Sequence, residues 1–239
     1  MLALSVSRVK LYEECPRKFR YQYIDKLPQQ EKSFFVLGTF VHKALEECVK
    51  HILYGRSAKD AMYIAFRIAR KEVSISSHML AQIYPWLCTF VQQWVTSPCQ
   101  PLRVEAKFSF PLEDRFKIRG VIDRIDRHGE GIHVIDYKTS RKIDMLDDFQ
   151  LAVYATAARQ LYPDKSITAW FSMVRFDFVQ ACPLVVTDII IEQALQRLFD
   201  AGVKIEQEQE WPTNHTPKCR YCDYFKTCFT ESPDVARLW

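Results

Sequence analysis

Asp123, Asp136 and Lys138 are placed where one hairpin would gather them. Two apolar, β-branched runs, 118–125 and 131–135, flank a turn at His128-Gly129-Glu130-Gly131, the pattern of two antiparallel strands. Asp136 and Lys138 are two residues apart, so in a strand both side chains leave the same face. Tyr137 then points to the opposite face and offers this site only its backbone carbonyl. Asp123, near the end of the first strand, comes to the same spot if the strands pair about the turn. Two carboxylates and an ammonium suit the metal-assisted hydrolysis of a phosphodiester. Mg²⁺ neutralises the phosphate, lowers the pKa of a bound water and needs only one or two carboxylates. Asp123, Asp136 and the Tyr137 carbonyl form a candidate ligand set, with Lys138 placed to orient or deprotonate the attacking water. An Asp-x-Lys alone is better read as a surface ion pair, so neighbouring elements have to raise it.

Two elements bear on it. Upstream, the segment Leu37-Gly38-Thr39-Phe40-Val41-His42 reads as a helix start with Thr39 as N-cap, putting His42 in the first turn as a third metal ligand. A half-buried helix histidine has the same appearance. Downstream, Asp147 or Asp148 caps a helix carrying Gln150 and Tyr154, whose i,i+4 spacing puts them on one face. They either contact a substrate backbone and hold Lys138, or are an exposed amide beside a core tyrosine.

Eight cysteines fall into two groups. Cys219-x2-Cys222-x5-Cys228 is dense ligand spacing, and Cys15 can complete a set of four. Four thiolates suit a structural zinc or a four-iron cluster, and spacing alone leaves both open. Cys48, Cys88, Cys99 and Cys182 lie among apolar residues and read as buried small hydrophobes. His215 is a further candidate ligand near the C-terminal group.

Taken in order, Gly38-x3-His42, Gly120-x2-Asp123, Asp136-Tyr137-Lys138 and Gln150-x3-Tyr154 resemble the RecB-type branch of the PD-(D/E)XK nucleases. The resemblance implies an α/β, restriction-endonuclease-like fold over residues 1–239. A central mixed sheet would be flanked by helices, with a helical insertion at about 57–98 and the termini joined by the four cysteines. It implies that His42, Asp123 and Asp136 bind Mg²⁺ or Mn²⁺, that Lys138 is catalytic, and that Gln150 and Tyr154 support DNA placement. The strand from Arg103 to Phe110 matches the family's preceding strand and offers Glu105 as a further acid. The Cys15 and Cys219-Cys222-Cys228 arrangement resembles the iron–sulfur subgroup with AddB-type nuclease domains and CRISPR-associated nucleases. On that resemblance the four thiols hold a 4Fe-4S cluster, with Zn²⁺ as the alternative, and residues 211–230 form the cluster-binding segment. The function implied is a DNA exonuclease or end-dependent nuclease on single strands, working with a helicase or CRISPR integrase partner. A non-catalytic nucleic-acid-binding scaffold and a CRISPR adaptation nuclease are the competing readings.

With 239 residues, 48 % of them hydrophobic, the chain can bury a full core. A net charge of only +4 excludes a global polyelectrolyte attraction, so nucleic-acid contacts would come from local patches. The best patch is Arg17, Lys18 and Arg20 with Lys26, interleaved with Phe19, Tyr21 and Tyr23. Lys218, Arg220 and Lys226 make a smaller one. Six glycines leave no phosphate-cradling loop. No run reads as a signal peptide or membrane span, and cluster-type thiols favour a reducing interior, so a cytoplasmic location is expected.

The elements expected around these residues follow from periodicity. Ser5 or Ser7 opens a helix that continues to about Tyr23, and helices follow near 38–54, 57–73 and 77–95. Strands are expected at 103–110, 116–126 and 131–138, then the Gln150 helix, two strands at 167–175 and 179–186, and a helix to about Gln207. Trp86, Phe90 and Trp94 form an i,i+4,i+8 stripe that reads as a packing face or a channel wall.

Overall fold

The computed structural model describes residues 1–29, 33–97, 99–143 and 146–231. Two compact units emerge, one from residues 1–31, 111–118 and 195–239, the other from 32–110 and 119–194. Among the described residues, no helix is long and apolar enough to cross a membrane.

The larger unit is mixed α/β. Strand β3 (Phe116–His128) and β4 (Gly131–Lys138) pair antiparallel from Arg124/Ile135 to His128/Gly131, closing the expected hairpin. Strand β2 (Gln100–Leu112) pairs with β3. Beyond the hairpin, β4 runs parallel to β5 (Ile167–Met173), which pairs antiparallel with β6 (Val179–Val185). The parallel step needs a crossover, supplied by helix α6 (Phe149–Leu161). β5 is almost wholly apolar and buried, and β4 is mostly buried despite carrying His133, Asp136 and Lys138, because both sheet faces are covered.

Helices α3 (Ser33–Leu53), α4 (Ala58–Glu72) and α5 (Ser77–Thr96) share one core. Phe40, Val41, Ala44, Leu45 and Cys48 of α3 meet Ala61 and Ala65 of α4, Ile83, Leu87 and Phe90 of α5, and Ile135 and Tyr137 of the sheet. Phe90 and Trp94 of the aromatic stripe are buried, and Trp86 is partly buried against this core, so the packing reading accounts for it. Ser57 and Ser76 cap α4 and α5, each accepting a backbone N–H from the first turn.

Helix α3 begins at Ser33, so Gly38 and Thr39 lie within it and His42 is well past its first turn. The expected Thr39 cap is therefore wrong: its hydroxyl donates to the Phe35 carbonyl at 2.9 Å, a bond of the helix interior. Gly38 costs helix stability, but a Cβ there would come within 3.2 Å of Thr139 Oγ1 on the loop after β4. The glycine marks close approach of backbone to loop, not a helix boundary.

Gly120 is tighter. A Cβ would lie 2.5 Å from the Phe108 ring, which sits edge-on to Tyr154 at 5.8 Å. Gly120→Ala must displace that ring. The substitution should cost about 1–3 kcal/mol, read as a melting temperature lower by several degrees, and should disturb Tyr154.

In the smaller unit β1 (Leu2–Leu4) runs parallel to the start of β3, pairing Leu2 with Phe116. Ser5 caps α1 (Val6–Glu14), accepting the Arg8 N–H. The single helix expected as far as Tyr23 is broken at Cys15, which is extended (φ −164°, ψ 107°). The cause is Pro16, since a residue preceding proline is driven out of the α region. A short helix α2 (Pro16–Phe19) and a π turn at Arg20–Ile24 follow.

Candidate active site

The β3/β4 ladder stops at Arg124/Ile135, and one residue further the Asp123 side chain takes over. Its Oδ2 accepts the Tyr137 backbone N–H at 2.7 Å, while Oδ1 is 3.3 Å from His42 Nδ1 on α3. Alternation along β4 turns Asp136 and Lys138 toward the same cleft and sends Tyr137 to the rear, where its phenol accepts from Arg124 Nη1 at 2.6 Å. From α6, Gln150 joins the group. Its amide nitrogen donates to Asp136 Oδ1 (2.8 Å) and the Tyr154 hydroxyl (3.0 Å), and its oxygen accepts from Lys138 Nζ (2.9 Å). Lys138 Nζ is also 2.7 Å from Asp136 Oδ2.

His42, Asp123, Asp136, Lys138, Gln150 and Tyr154 thus line one open cleft of about 1080 Å³ with Glu105. Glu105 takes a left-handed backbone (φ 47°), uncommon for a non-glycine residue though shared by several loop and strand positions of this chain. Burial first, then the charges of Asp123 and Glu46, push its pKa up.

Electrostatics make this a place that welcomes a cation. Asp136 is 4 % exposed, and burial pushes its pKa up to about 6, assisted by Asp123 and opposed by Lys138. Burial would lower the His42 pKa, but the hydrogen bond and charge of Asp123, with Asp136 adding, raise it overall. Despite its proximity to Lys138, the buried Asp136 Oδ2 receives no well-directed hydrogen bond. Among the described residues, no three His, Cys, Asp or Glu side chains form a ready-made metal-binding group. A Mg²⁺-type centre asks for less: one or two carboxylates, with water and substrate oxygens completing the shell. Asp123 and the free lone pairs of Asp136 fit it, and His42 stands beside them.

The cleft also contains residues the motif reading passed over. Glu46 lies four residues after His42, and that spacing made it legible on the same helical face. Arg175 gave no such signal. It sits in a 3₁₀ turn after β5, donates to the Thr139 carbonyl at 2.6 Å and lies 4.6 Å over the Trp86 ring. His78 and Gln82 of α5 line the same cleft, so the helical block contributes a wall.

The second candidate centre lies in the smaller unit. Cys15, Cys219, Cys222 and Cys228 line one cavity of about 260 Å³, together with His215, but no three of these described side chains are arranged as a ready-made metal-binding group. Burial raises the Cys228 pKa first, with Cys15, Cys222 and Cys219 near enough to add to it. The Pro16 break positions Cys15, and Thr216 caps the 3₁₀ turn Pro217–Tyr221 that carries Cys219. His215 Nε2 is 2.9 Å from the Thr213 hydroxyl. Cys48 is buried as expected, but Cys88 and Cys99 are exposed and Cys182 is half-buried. Cys88 falls on the outer face of α5 and Cys99 on the link to β2, and apolar neighbours in sequence do not enforce burial there.

Of the expected DNA-contacting cations, Arg17 is held inward, donating to the Trp211 carbonyl at 2.7 Å and to Glu231 at 3.0 Å. Lys18 pairs with Glu14 and Arg20 with Asp25. Phe19 is buried and stacks on Trp211. The aromatic residues of this patch thus serve the unit's own packing.

A family model described as the PD-(D/E)XK nuclease superfamily matches residues 3–229. The chain belongs to this superfamily. It is 23 % identical over 277 residues to the Gene 69 protein of Mycobacterium phage L5, covering 94 % of this chain and 95 % of that protein. It is 26 % identical over 210 residues to a subunit of the ATP-dependent helicase/deoxyribonuclease of Clostridioides difficile, covering 69 % of this chain but 18 % of that relative. A solved structure of a candidate exonuclease from Eubacterium rectale superposes with a TM-score of 0.54 at 13 % identity, covering 94 % and 87 % of the two chains. That likeness concerns the fold: a mixed sheet flanked by helices, as PD-(D/E)XK nucleases have.

Proposed function

We propose that this PD-(D/E)XK family member is a divalent-metal-dependent deoxyribonuclease acting on single strands or from DNA ends. One observation carries the reading. Asp123, Asp136, Lys138 and Gln150 converge in an open cleft where a buried carboxylate oxygen lacks a directed donor. Mg²⁺ or Mn²⁺, held by Asp123, Asp136, His42 and the Tyr137 carbonyl, would supply charge neutralisation and an acidified water. The Lys138 ammonium orients the attacking water, whose proton passes to solvent or to a substrate phosphate oxygen. Gln150 fixes the Lys138 ammonium through its oxygen and Asp136 through its nitrogen, and Tyr154 holds Gln150 in turn. The wall from α5 favours a strand or frayed end over an uninterrupted duplex. The deoxyribonuclease named among the relatives supports DNA as substrate, and its helicase half supports a helicase partner.

The test is incubation with Mn²⁺ and end-labelled single-stranded, blunt duplex and closed circular DNA. Cleavage of the first two with circles spared is expected. No cleavage of any of them would overturn the assignment, and rapid cutting of circles would overturn the end preference.

Metal binding should depend on pH. Asp136 must lose a proton to ligate, and its folded pKa is raised. His42 must be neutral to ligate, and its pKa is raised too. Both groups therefore favour the metal-free fold at mildly acidic pH, and their contribution is lost as pH rises through the folded values. Mn²⁺ should raise the melting temperature more at pH 8 than at pH 5.5. Equal shifts at both values would count against these ligands.

The four-thiol cavity is assigned, within the same proposal, to a 4Fe-4S cluster. The support is the donor set, since four cysteines from both ends of the chain line one space. Lys18 and Arg20 near it are proposed to meet the DNA backbone, Arg20 being the more exposed of the two.

A further inference from the structure

Lys43, Lys138, Arg141 and Arg175 line the cleft, and they divide by what neutralises them. Lys138 sits against Asp136 and Gln150, and Lys43 pairs with Glu47 at 3.1 Å and Glu72 at 3.2 Å. Among the described residues, Arg141 and Arg175 meet no carboxylate. Arg141 is exposed on the loop after β4, and Arg175 is half-buried in the 3₁₀ turn after β5. The two strands run parallel and pair as far as Lys138 and Met173, so both segments leave the same end of the sheet. The bond from Arg175 Nε to the Thr139 carbonyl fastens one segment to the other.

Arg175 is held ready for a ligand. Its Nε is committed to the carbonyl and its guanidinium lies 4.6 Å over the Trp86 ring, which fixes its plane. Among the described residues, its two terminal nitrogens make no hydrogen bond. Burial first, and then the charge of Arg141, lower the Arg175 pKa, so the fold keeps two like charges together against their repulsion. A guanidinium fork matches carboxylate and phosphate alike. The floor of the cleft decides between them. Its carboxylates suit a divalent cation, and a polyanionic strand can place one phosphate on that cation and the next on the guanidiniums.

We propose that Arg175 and Arg141 form a phosphate subsite that grips the substrate strand beside the scissile bond. This rests on the hydrolytic reading and adds to it the groups that set the strand's register. Arg175 donates to two phosphate oxygens through its terminal nitrogens, and Arg141 reaches the same phosphate from the loop. Contacts of this kind position a strand without reading its sequence, so the grip is indifferent to the bases.

Fluorescence anisotropy of the full chain with a labelled single-stranded oligonucleotide, measured in EDTA over a series of salt concentrations, tests binding apart from cleavage. The double variant Arg141→Gln/Arg175→Gln should bind about ten-fold more weakly. Its slope of log affinity against log salt should be shallower by about 0.7, the value of one phosphate contact on a single strand. A lost packing contact would leave that slope unchanged. With Mn²⁺, the same variant should raise KM about ten-fold and keep kcat within about three-fold of the parent. Because Arg175 also braces the loop, Arg141→Gln alone serves as a second variant at an exposed position and should weaken binding by about three-fold. Strands with hydroxyl and with phosphorylated ends separate the sources of the anion. Equal affinity assigns the subsite to an internal diester, and a preference for phosphorylated ends that the double variant loses assigns it to a terminal monoester. Folded variants with the parent's affinity and salt slope would overturn the subsite, whether or not the protein cuts DNA. The expected binding losses in a protein that never cuts would keep the phosphate grip and overturn the hydrolytic reading instead.

Discussion

Asp136→Asn should reduce cleavage at least about 10³-fold, since losing a metal-ligating charge removes several kcal/mol of transition-state stabilisation. The same variant should fold about as stably as the parent at pH 8. The parent buries an ionised carboxylate with one oxygen lacking a directed donor and a second carboxylate nearby. Asparagine keeps an oxygen for the Gln150 amide while removing that anion. Lys138 loses its partner, but its side chain is 25 % exposed and stays hydrated. Because the ammonium left behind is hydrated rather than buried, the usual penalty for removing one partner of a buried pair is largely avoided, and the melting temperature should shift by only a few degrees. Cleavage assays on end-labelled DNA and melting curves on the same sample separate the two effects. Activity within ten-fold of the parent would remove Asp136 from the mechanism.

Cys228→Ser has the opposite signature, with stability carrying the effect. Under the cluster assignment, metal–thiolate bonds tie residue 15 to residue 228. Metal-binding free energy then appears as folding free energy, on the order of 10 kcal/mol for structural thiolate sites. Losing even a third of that lowers the melting temperature by about 10 °C for a chain of this size. Anaerobically reconstituted parent protein should show broad visible absorption that the variant lacks. A colourless parent stabilised by Zn²⁺ would replace iron with zinc. A parent that gains neither colour nor stability from either metal would leave the cavity without a metal role.

Much of the cleft was legible because its signals are local. A two-residue period fixes which strand residues share a face, so Asp136 and Lys138 emerge together and Tyr137 emerges opposite. A four-residue helical period pairs Gln150 with Tyr154. The C-terminal cysteine triad stood out by its dense spacing, and the structure places Cys15 on the same cavity.

Helix boundaries were less so. Thr39 and Gly38 resemble a helix start, yet α3 runs through them because its apolar face is buried against α4 and α5, and the glycine answers to Thr139 across space. Cys88 and Cys99 show the converse: apolar neighbours in sequence say little about which side of a helix or linker meets solvent.

Sequence alone determined which residues could share a surface, since that follows from backbone periodicity, and it determined the set of groups available for chemistry. Only the tertiary structure decided the ladder's end at Arg124, which frees the Asp123 carboxylate to hold the Tyr137 amide. It also decided the position of Glu105 on the cleft and a rear cavity around Arg124 and Asp126. Those features depend on where distant elements stop and which neighbours they meet, and no period of two or four residues encodes that.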